Sequence, residues 1–236
     1  QKDNEEKFIK IINGAEKVFL NKTDSLLREL AKLMDYEWKD GDSDFTAIPT
    51  FLPFCPFEKN TFYFATRTYL NNGRDINDIL FTAAHEISHF VLFKILWGNK
   101  MNPDDNLTLQ LLQEILAPVL MDQSELAQII KHDASNYFGN PDIALLYVNT
   151  DKNEPQRMPV AFKTAYDFLR QKEASFIEIL YLFIEIITEL KNDLSKKRDF
   201  WNINGYKIPN DKDLFKIYTE PMEIKNSRKE LFLPAI

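Results

Sequence analysis

Residues 79–91 have the sequence ILFTAAHEISHFV, and this stretch decides how the rest of the chain is interpreted. Its apolar side chains surround the polar residues His85, Glu86 and His89, a pattern that is typical of a buried helix. An exposed helix would carry more charged residues around such a group. The sequence therefore predicts a helix over residues 75–97 that brings these three side chains into the protein core.

The two histidines are four residues apart, so on a helix both imidazoles project from one face about one turn apart. This spacing suits two ligands of one Zn²⁺ ion. Glu86 flanks the same face, and in metallopeptidases with this motif the carboxylate takes a proton from zinc-bound water and later delivers it to the leaving amine. We therefore predict His85 and His89 as metal ligands and Glu86 as the catalytic residue. The three-histidine variant is excluded because Leu92 and Ile95 stand where it has glycine and histidine.

A third ligand is expected, because catalytic zinc usually takes three protein ligands and leaves a fourth position for water. We predict Glu114, since a second helix returning antiparallel from about residue 105 would bring this carboxylate level with His89. Its neighbours are mostly apolar, and a carboxylate in such a run is more often paired or metal-bound than solvated. The rival ligands are Asp104, Asp105, Asp122, Glu125 and His132.

The remaining pattern is mostly helical. The first 38 residues carry two apolar stripes, with Asp24 expected as an N-cap between two helices. Residues 61–70 alternate as a strand. Residues 142–147 favour a short helix, although the apolar run would also suit a strand, and two longer helices are expected at 160–171 and 174–197.

These elements predict an α+β, mostly helical fold. Residues 1–150 are expected to form a zincin-like metallopeptidase domain with N-terminal helices and a small sheet beside the motif helix. Residues 151–236 are expected to form a mainly helical C-terminal extension.

Composition narrows the function classes. A formal net charge of −7 gives no strong nucleic-acid signal, because such binding needs clustered Lys and Arg. The single cysteine, Cys55, cannot form an internal disulfide, so a cytoplasmic location is the simpler prediction. The most apolar long segment, 176–190, carries three glutamates, so no membrane partner is expected. Residues 1–10 do not resemble a signal peptide.

The motif and the region after it resemble one known family. Residues 81–89, FTAAHEISH, resemble the phenylalanine-threonine-leucine-alanine-histidine-glutamate opening of the ImmA/IrrE group of metallopeptidases. Residues 114–121, EILAPVLM, resemble that group's second motif, and residues 137–145 resemble the short helical unit that follows. The resemblance spans about residues 60–148.

The resemblance implies that Glu114 is the third zinc ligand, as its counterpart is in that family. It also implies an intracellular protease that cuts a specific partner, often a DNA-binding repressor or an antitoxin. This sequence departs from the family at Ser88, where glycine is usual, and at Pro118 and Asp122, which interrupt the usual run after the third ligand.

We therefore predict a zinc endopeptidase acting on a specific protein or peptide substrate, with residues 61–70 as a rim on which substrate backbone could add. The alternative is a non-catalytic zinc-binding or helical protein-interaction module. A third hypothesis is a regulator whose helical C-terminal half senses a ligand or a partner and gates the protease. The oxyanion stabiliser is unassigned, and its candidates are His132, Tyr137, Tyr147 and Arg157.

Overall fold

The structure is a computed structural model, and it describes residues 2–51, 57–72, 75–101, 103, 106–131, 146–150, 155–204 and 220–232. Helices dominate and the strands form two small sheets, which confirms the predicted α+β, mostly helical class. The chain divides into two compact units, Gln1–Lys100 with Leu120–Ser135, and Met101–Val119 with Asn136–Ile236. The predicted domain boundary after residue 150 does not coincide with this division and stays a prediction.

The first unit begins with one long helix, α1, Lys2–Leu33. The prediction of two helices with Asp24 as an N-cap is therefore wrong. Thr23, beside it, donates a hydrogen bond from Oγ1 to the carbonyl of Phe19 at 2.7 Å. A hydroxyl that bonds back into the preceding turn is compatible with an uninterrupted helix. The most deeply buried leucines of α1 are Leu26, Leu27, Leu30 and Leu33.

A small sheet follows α1 and consists of β1, Thr46–Thr50, β2, Phe57–Glu58, and β3, Thr61–Ala65. The strand predicted over residues 61–70 is confirmed only as far as Ala65, because helix α2, Thr66–Asn72, begins there. The ladder between β1 and β3 ends at the pair Thr50 and Ala65. Thr66 then donates a hydrogen bond from Oγ1 to the Thr50 carbonyl at 2.8 Å, which ties the start of α2 to the end of β1.

The position of β3 in its sheet limits the predicted substrate rim, which stays a prediction. β3 is the central strand, parallel to β1 along all five residues and antiparallel to β2 at Thr61 and Phe62. An added substrate strand needs unpaired backbone groups at a sheet edge. β3 is paired with β1 along its whole length and with β2 at its first two residues, so among the described strands the outer positions belong to β1 and β2.

Helix α3, Ile79–Gly98, carries the motif and confirms the predicted helix. A short 3-10 segment, Ile76–Asp78, precedes it and is capped by the side chain of Asp75. The segment Ile76–Gly98 is long and apolar enough to cross a membrane by length and composition alone, so among the described residues it, and not 176–190, is the segment nearest to a membrane span. Core helices of soluble proteins meet the same criterion, and 72% of the apolar 18-residue stretch within this segment is buried inside the protein.

The loop between α1 and β1 is anchored to α3 through one carboxylate. Asp42 accepts hydrogen bonds from Lys94 Nζ of α3 at 2.7 Å and from Tyr36 Oη at 2.5 Å. These two donors, Lys94 first, hold the pKa of Asp42 below its usual value. Phe45 stacks on Phe90 with ring centroids 5.6 Å apart, so the loop also has an apolar contact with α3.

Helix α4, Asn106–Met121, confirms the predicted second helix and continues through Pro118, so this proline does not interrupt it. Helix α5, Ser124–Ile130, follows and ends at Lys131, whose φ of 52° is left-handed. The sequence pattern over residues 124–132 also predicts a helix, and this prediction is confirmed as far as residue 130. His132 and the residues up to 145 lie outside the described part of the chain.

The second unit contains a sheet of β4, Tyr147–Asn149, β5, Gln156–Arg157, and β6, Met222–Glu223, in the order β5-β4-β6. The helix predicted over 142–147 is wrong at Tyr147, which lies in β4. Its other residues, 142–145, lie outside the described residues. β4 is a short strand with a partner strand on each side, and a strand is the alternative that the sequence allowed for this apolar run.

The helices predicted at 160–171 and 174–197 are confirmed as α6, Met158–Gln171, and α7, Phe176–Asn204, although α7 continues past residue 197. A 3-10 segment, Asn226–Phe232, contacts α6. Three buried rings join these elements, because Phe162 lies 4.6 Å from Phe183 and 6.0 Å from Phe232, measured between centroids.

Candidate metal centre

Helix α3 places the two predicted histidine ligands side by side. The ring centroids of His85 and His89 are 4.5 Å apart, and the rings are inclined by 79°. His89 is 2% exposed and Glu86 is 7% exposed, so polar side chains occupy the interior of an otherwise apolar helix. Burial of such groups is costly unless they are bonded to something, which favours a functional reason for their presence.

Glu114 of α4 joins this pair. One ligand atom from each of His85, His89 and Glu114 lies within 4.8 Å of the other two, so the three residues form a group that could hold a metal ion. Gln113 Nε2 donates a hydrogen bond to Glu114 Oε1 at 3.3 Å. The sequence does not predict this contact, because neighbouring residues on a helix normally point in different directions.

The rival ligands do not join the group as far as the structure describes them. Glu125 is exposed, and its carboxylate accepts a hydrogen bond from Ser124 Oγ at 2.5 Å. Asp122 follows the end of α4 and is absent from the group of potential ligands. Asp104, Asp105 and His132 lie outside the described residues.

Ser88 is the residue that departs from the resembled motif, and it bonds to the backbone of α3. Its Oγ donates a hydrogen bond to the carbonyl of His85 at 2.7 Å. Serine bonds of this kind satisfy the hydroxyl within the helix itself. Ser88 is therefore accommodated without a polar partner outside α3, and the helix remains regular where glycine is usual.

Burial sets the electrostatics of the histidine pair. It lowers the pKa of His85 from 6.5 to about 4. Burial also lowers the pKa of His89 well below its usual value, and repulsion from a charged His85 acts in the same direction. Both imidazoles are therefore neutral at neutral pH, which is the state that binds metal ions.

These shifts predict how the stability of metal-free protein depends on pH. A histidine with a lowered pKa binds fewer protons in the folded state than in the unfolded state between about pH 4 and 6.5. The contribution of the neutral histidine to the free energy of unfolding is therefore present above the pKa of the unfolded state and is lost as the pH falls below it. We expect chelator-treated protein to lose about 1–2 kcal/mol of unfolding free energy through His85 between pH 7 and 5.

Denaturant titrations at the two pH values measure this loss, with His85→Asn as the comparison. The variant should show a smaller loss than the wild type, because asparagine does not titrate. Equal losses in the two proteins would show that His85 does not contribute.

The donor set fits zinc in chemical terms. Two imidazole nitrogens and one carboxylate oxygen form one of the three-ligand sets that catalytic zinc sites use, and they leave one position for water. A closed structural site would need a fourth protein ligand, and the described residues supply three. The identity of the metal stays a prediction.

The candidate oxyanion residues remain unassigned. Tyr147 lies in β4 and Arg157 lies exposed in β5, while His132 and Tyr137 lie outside the described residues. Neither of the two described residues belongs to the group that could hold a metal.

Comparison with protein-family models, with curated proteins and with solved structures gives no match for this chain. The resemblance to the ImmA/IrrE group thus rests on the sequence motifs alone.

Proposed function

We propose that the protein is a zinc-dependent metallopeptidase. The observation that carries the proposal is the convergence of His85, His89 and Glu114 within 4.8 Å, with Glu86 buried one residue after the first ligand. When bound, zinc supplies a Lewis acid that polarises the scissile carbonyl and lowers the pKa of a water molecule to about 7. This chemistry requires a nearby group that moves protons.

Glu86 is the residue proposed for that role. In peptide hydrolysis its carboxylate oxygen accepts a proton from the attacking water as the new C–O bond forms, and it donates the proton to the amide nitrogen as the C–N bond breaks. The proton is conserved, and Glu86 ends the cycle in its starting state. Low exposure favours this function, because a carboxylate shielded from water transfers the proton to substrate without competition from bulk solvent.

The surrounding architecture supports a zincin-like core as part of the proposal. The sheet β1-β3-β2 lies in the same compact unit as α3, and β3 contacts that helix. Among the described strands, β1 and β2 are the outer strands of this sheet, and an extended substrate could pair with either. We propose a specific protein partner as the substrate, with a transcriptional regulator or an antitoxin in the cytoplasm as the class that the motif resemblance favours.

Metal analysis tests the ligand set. Wild-type protein purified without chelator should contain one zinc per chain by mass spectrometry. Glu114→Gln keeps the shape but removes the charge, and it should weaken zinc binding more than the roughly 10- to 100-fold loss that outer-shell changes cause. Glu125→Gln is the matched control, because that glutamate is exposed and already bonded to Ser124.

Two kinds of result would contradict this proposal. Unchanged zinc affinity in Glu114→Gln would remove this residue from the ligand set. The metallopeptidase proposal would be overturned if the wild-type protein binds no zinc at all or holds it in a closed four-ligand site. Either result would favour a non-catalytic interaction module.

A further inference from the structure

The first unit contains a groove that the candidate metal centre does not use. Its volume is about 510 Å³, and four phenylalanines contribute to its lining, Phe19 of α1, Phe45 of the following loop, and Phe62 and Phe64 of β3. This volume lies in the range of sites that hold small organic molecules. We call it the aromatic groove.

The aromatic groove lies on the side of α3 opposite to the two histidines. Ala83 and Ile87 of α3 line it, whereas the two histidine ligands do not. At about 100° per residue, the direction midway between Ala83 and Ile87 is about 160° from the direction midway between His85 and His89. The groove is thus a separate site, and ligand binding there does not depend on the proposed peptidase activity.

The charges that line the aromatic groove have one sign. Glu16 and Asp24 of α1 contribute carboxylates, and Lys, Arg and His are absent from its described lining residues. A second groove along α1 is different, because three lysines and one glutamate contribute to its lining. The positive and negative side chains of α1 are thus partly sorted between these two grooves, and of the two it is the aromatic groove that favours a cation.

The spacing of the two carboxylates indicates how long a suitable ligand should be. Glu16 and Asp24 are eight residues apart, which is about 12 Å along a helix. Leu20 lies midway between them on the same stripe, lines the groove and is 80% exposed. Along α1, the wall of the groove therefore carries a carboxylate, then an apolar side chain, then a second carboxylate.

We propose that the aromatic groove binds an elongated organic cation that has an apolar middle and a positive group at each end. The middle contacts the phenylalanine rings and Leu20, where removal of apolar surface from water provides the attraction. Each end approaches one carboxylate, and a cation above a phenylalanine face gains further electrostatic attraction. Anionic ligands of the same length are disfavoured by both carboxylates.

Three eight-carbon probes test this proposal by calorimetry. 1,8-Diaminooctane carries two positive ends, 1-aminooctane carries one, and 1,8-octanediol carries none. We expect affinity to fall in that order, by about twofold to fivefold for each charge lost, which is the scale of exposed ion pairs. A diamine that binds no tighter than the diol, or no measurable binding of the diamine, would overturn the proposal.

Variants locate the bound diamine. Glu16→Gln and Asp24→Asn should each weaken diamine binding by about twofold to fivefold and leave diol binding unchanged. Glu5→Gln, elsewhere on α1, is the charge-matched control and should change neither. An equal loss in the control would show a general effect of net charge and would also overturn the proposal. A metal-site variant, His85→Asn, should bind the diamine as the wild type does, which separates this test from that of the peptidase.

Discussion

The Glu86→Gln variant is expected to retain zinc and to lose cleavage by a factor of about 10²–10⁴. Glutamine keeps the size and shape of the buried side chain, but its amide does not accept a proton from water at neutral pH. The proposed metal ligands are untouched, so the zinc content should equal that of the wild type. The combination of full metal content and lost turnover is specific for a residue that moves protons.

The measurement compares the new N-terminal peptides that arise in cells producing wild type with those in cells producing Glu86→Gln. Cleavage sites present only with the wild type identify the substrate and the activity together. Glu29→Gln is a suitable control, because Glu29 is also a glutamate of low exposure in the first unit but bonds to Lys32 on the surface of α1. Identical peptide sets from wild type and Glu86→Gln would remove Glu86 from the mechanism.

The sequence predicted the elements of the site better than the elements around it. The spacing of His85 and His89 predicts one shared helical face, and the apolar residues around them predict burial, so helix α3 could be predicted from local pattern alone. Glu114 needed an additional assumption about a returning helix, and its convergence with the histidines agrees with that assumption. Separation along the sequence alone does not show which carboxylate will lie near the two histidines.

The incorrect predictions occur where contacts distant in sequence decide local structure. Residues 66–70 alternate like a strand, yet the partner strand β1 ends at Thr50, and without a ladder they form α2 instead. Asp24 is a good capping residue, but α1 continues through it, and the helix buries Ala15 before it and Leu26, Leu27 and Leu30 after it. Tyr147 pairs with Arg157, and β4 also pairs with β6, which lies about 75 residues further along the chain. Local propensity is weak beside such contacts.

The His89→Leu variant should separate a metal site from an ordinary polar group in the core. Burial that lowers the pKa of His89 already disfavours a charge there, so an uncharged apolar side chain of similar size suits the same surroundings. We expect the metal-free variant to lose no more than about 2 kcal/mol of stability. Wild-type protein should gain about 4 kcal/mol when free zinc is a thousandfold above its dissociation constant, and the variant should lose this gain.

Denaturant unfolding with chelator and with zinc measures both quantities in each protein. Leu96→Ala is the matched control on α3, because Leu96 is 1% exposed and its truncation should cost about 2–5 kcal/mol through the cavity it leaves. That control should be much less stable than the wild type yet keep the full zinc gain. His89→Leu should keep most of its metal-free stability but lose the zinc gain, since the substitution removes a metal ligand and leaves the packing largely intact. A zinc gain in His89→Leu equal to that of the wild type would mean that this imidazole is part of the core and not a ligand.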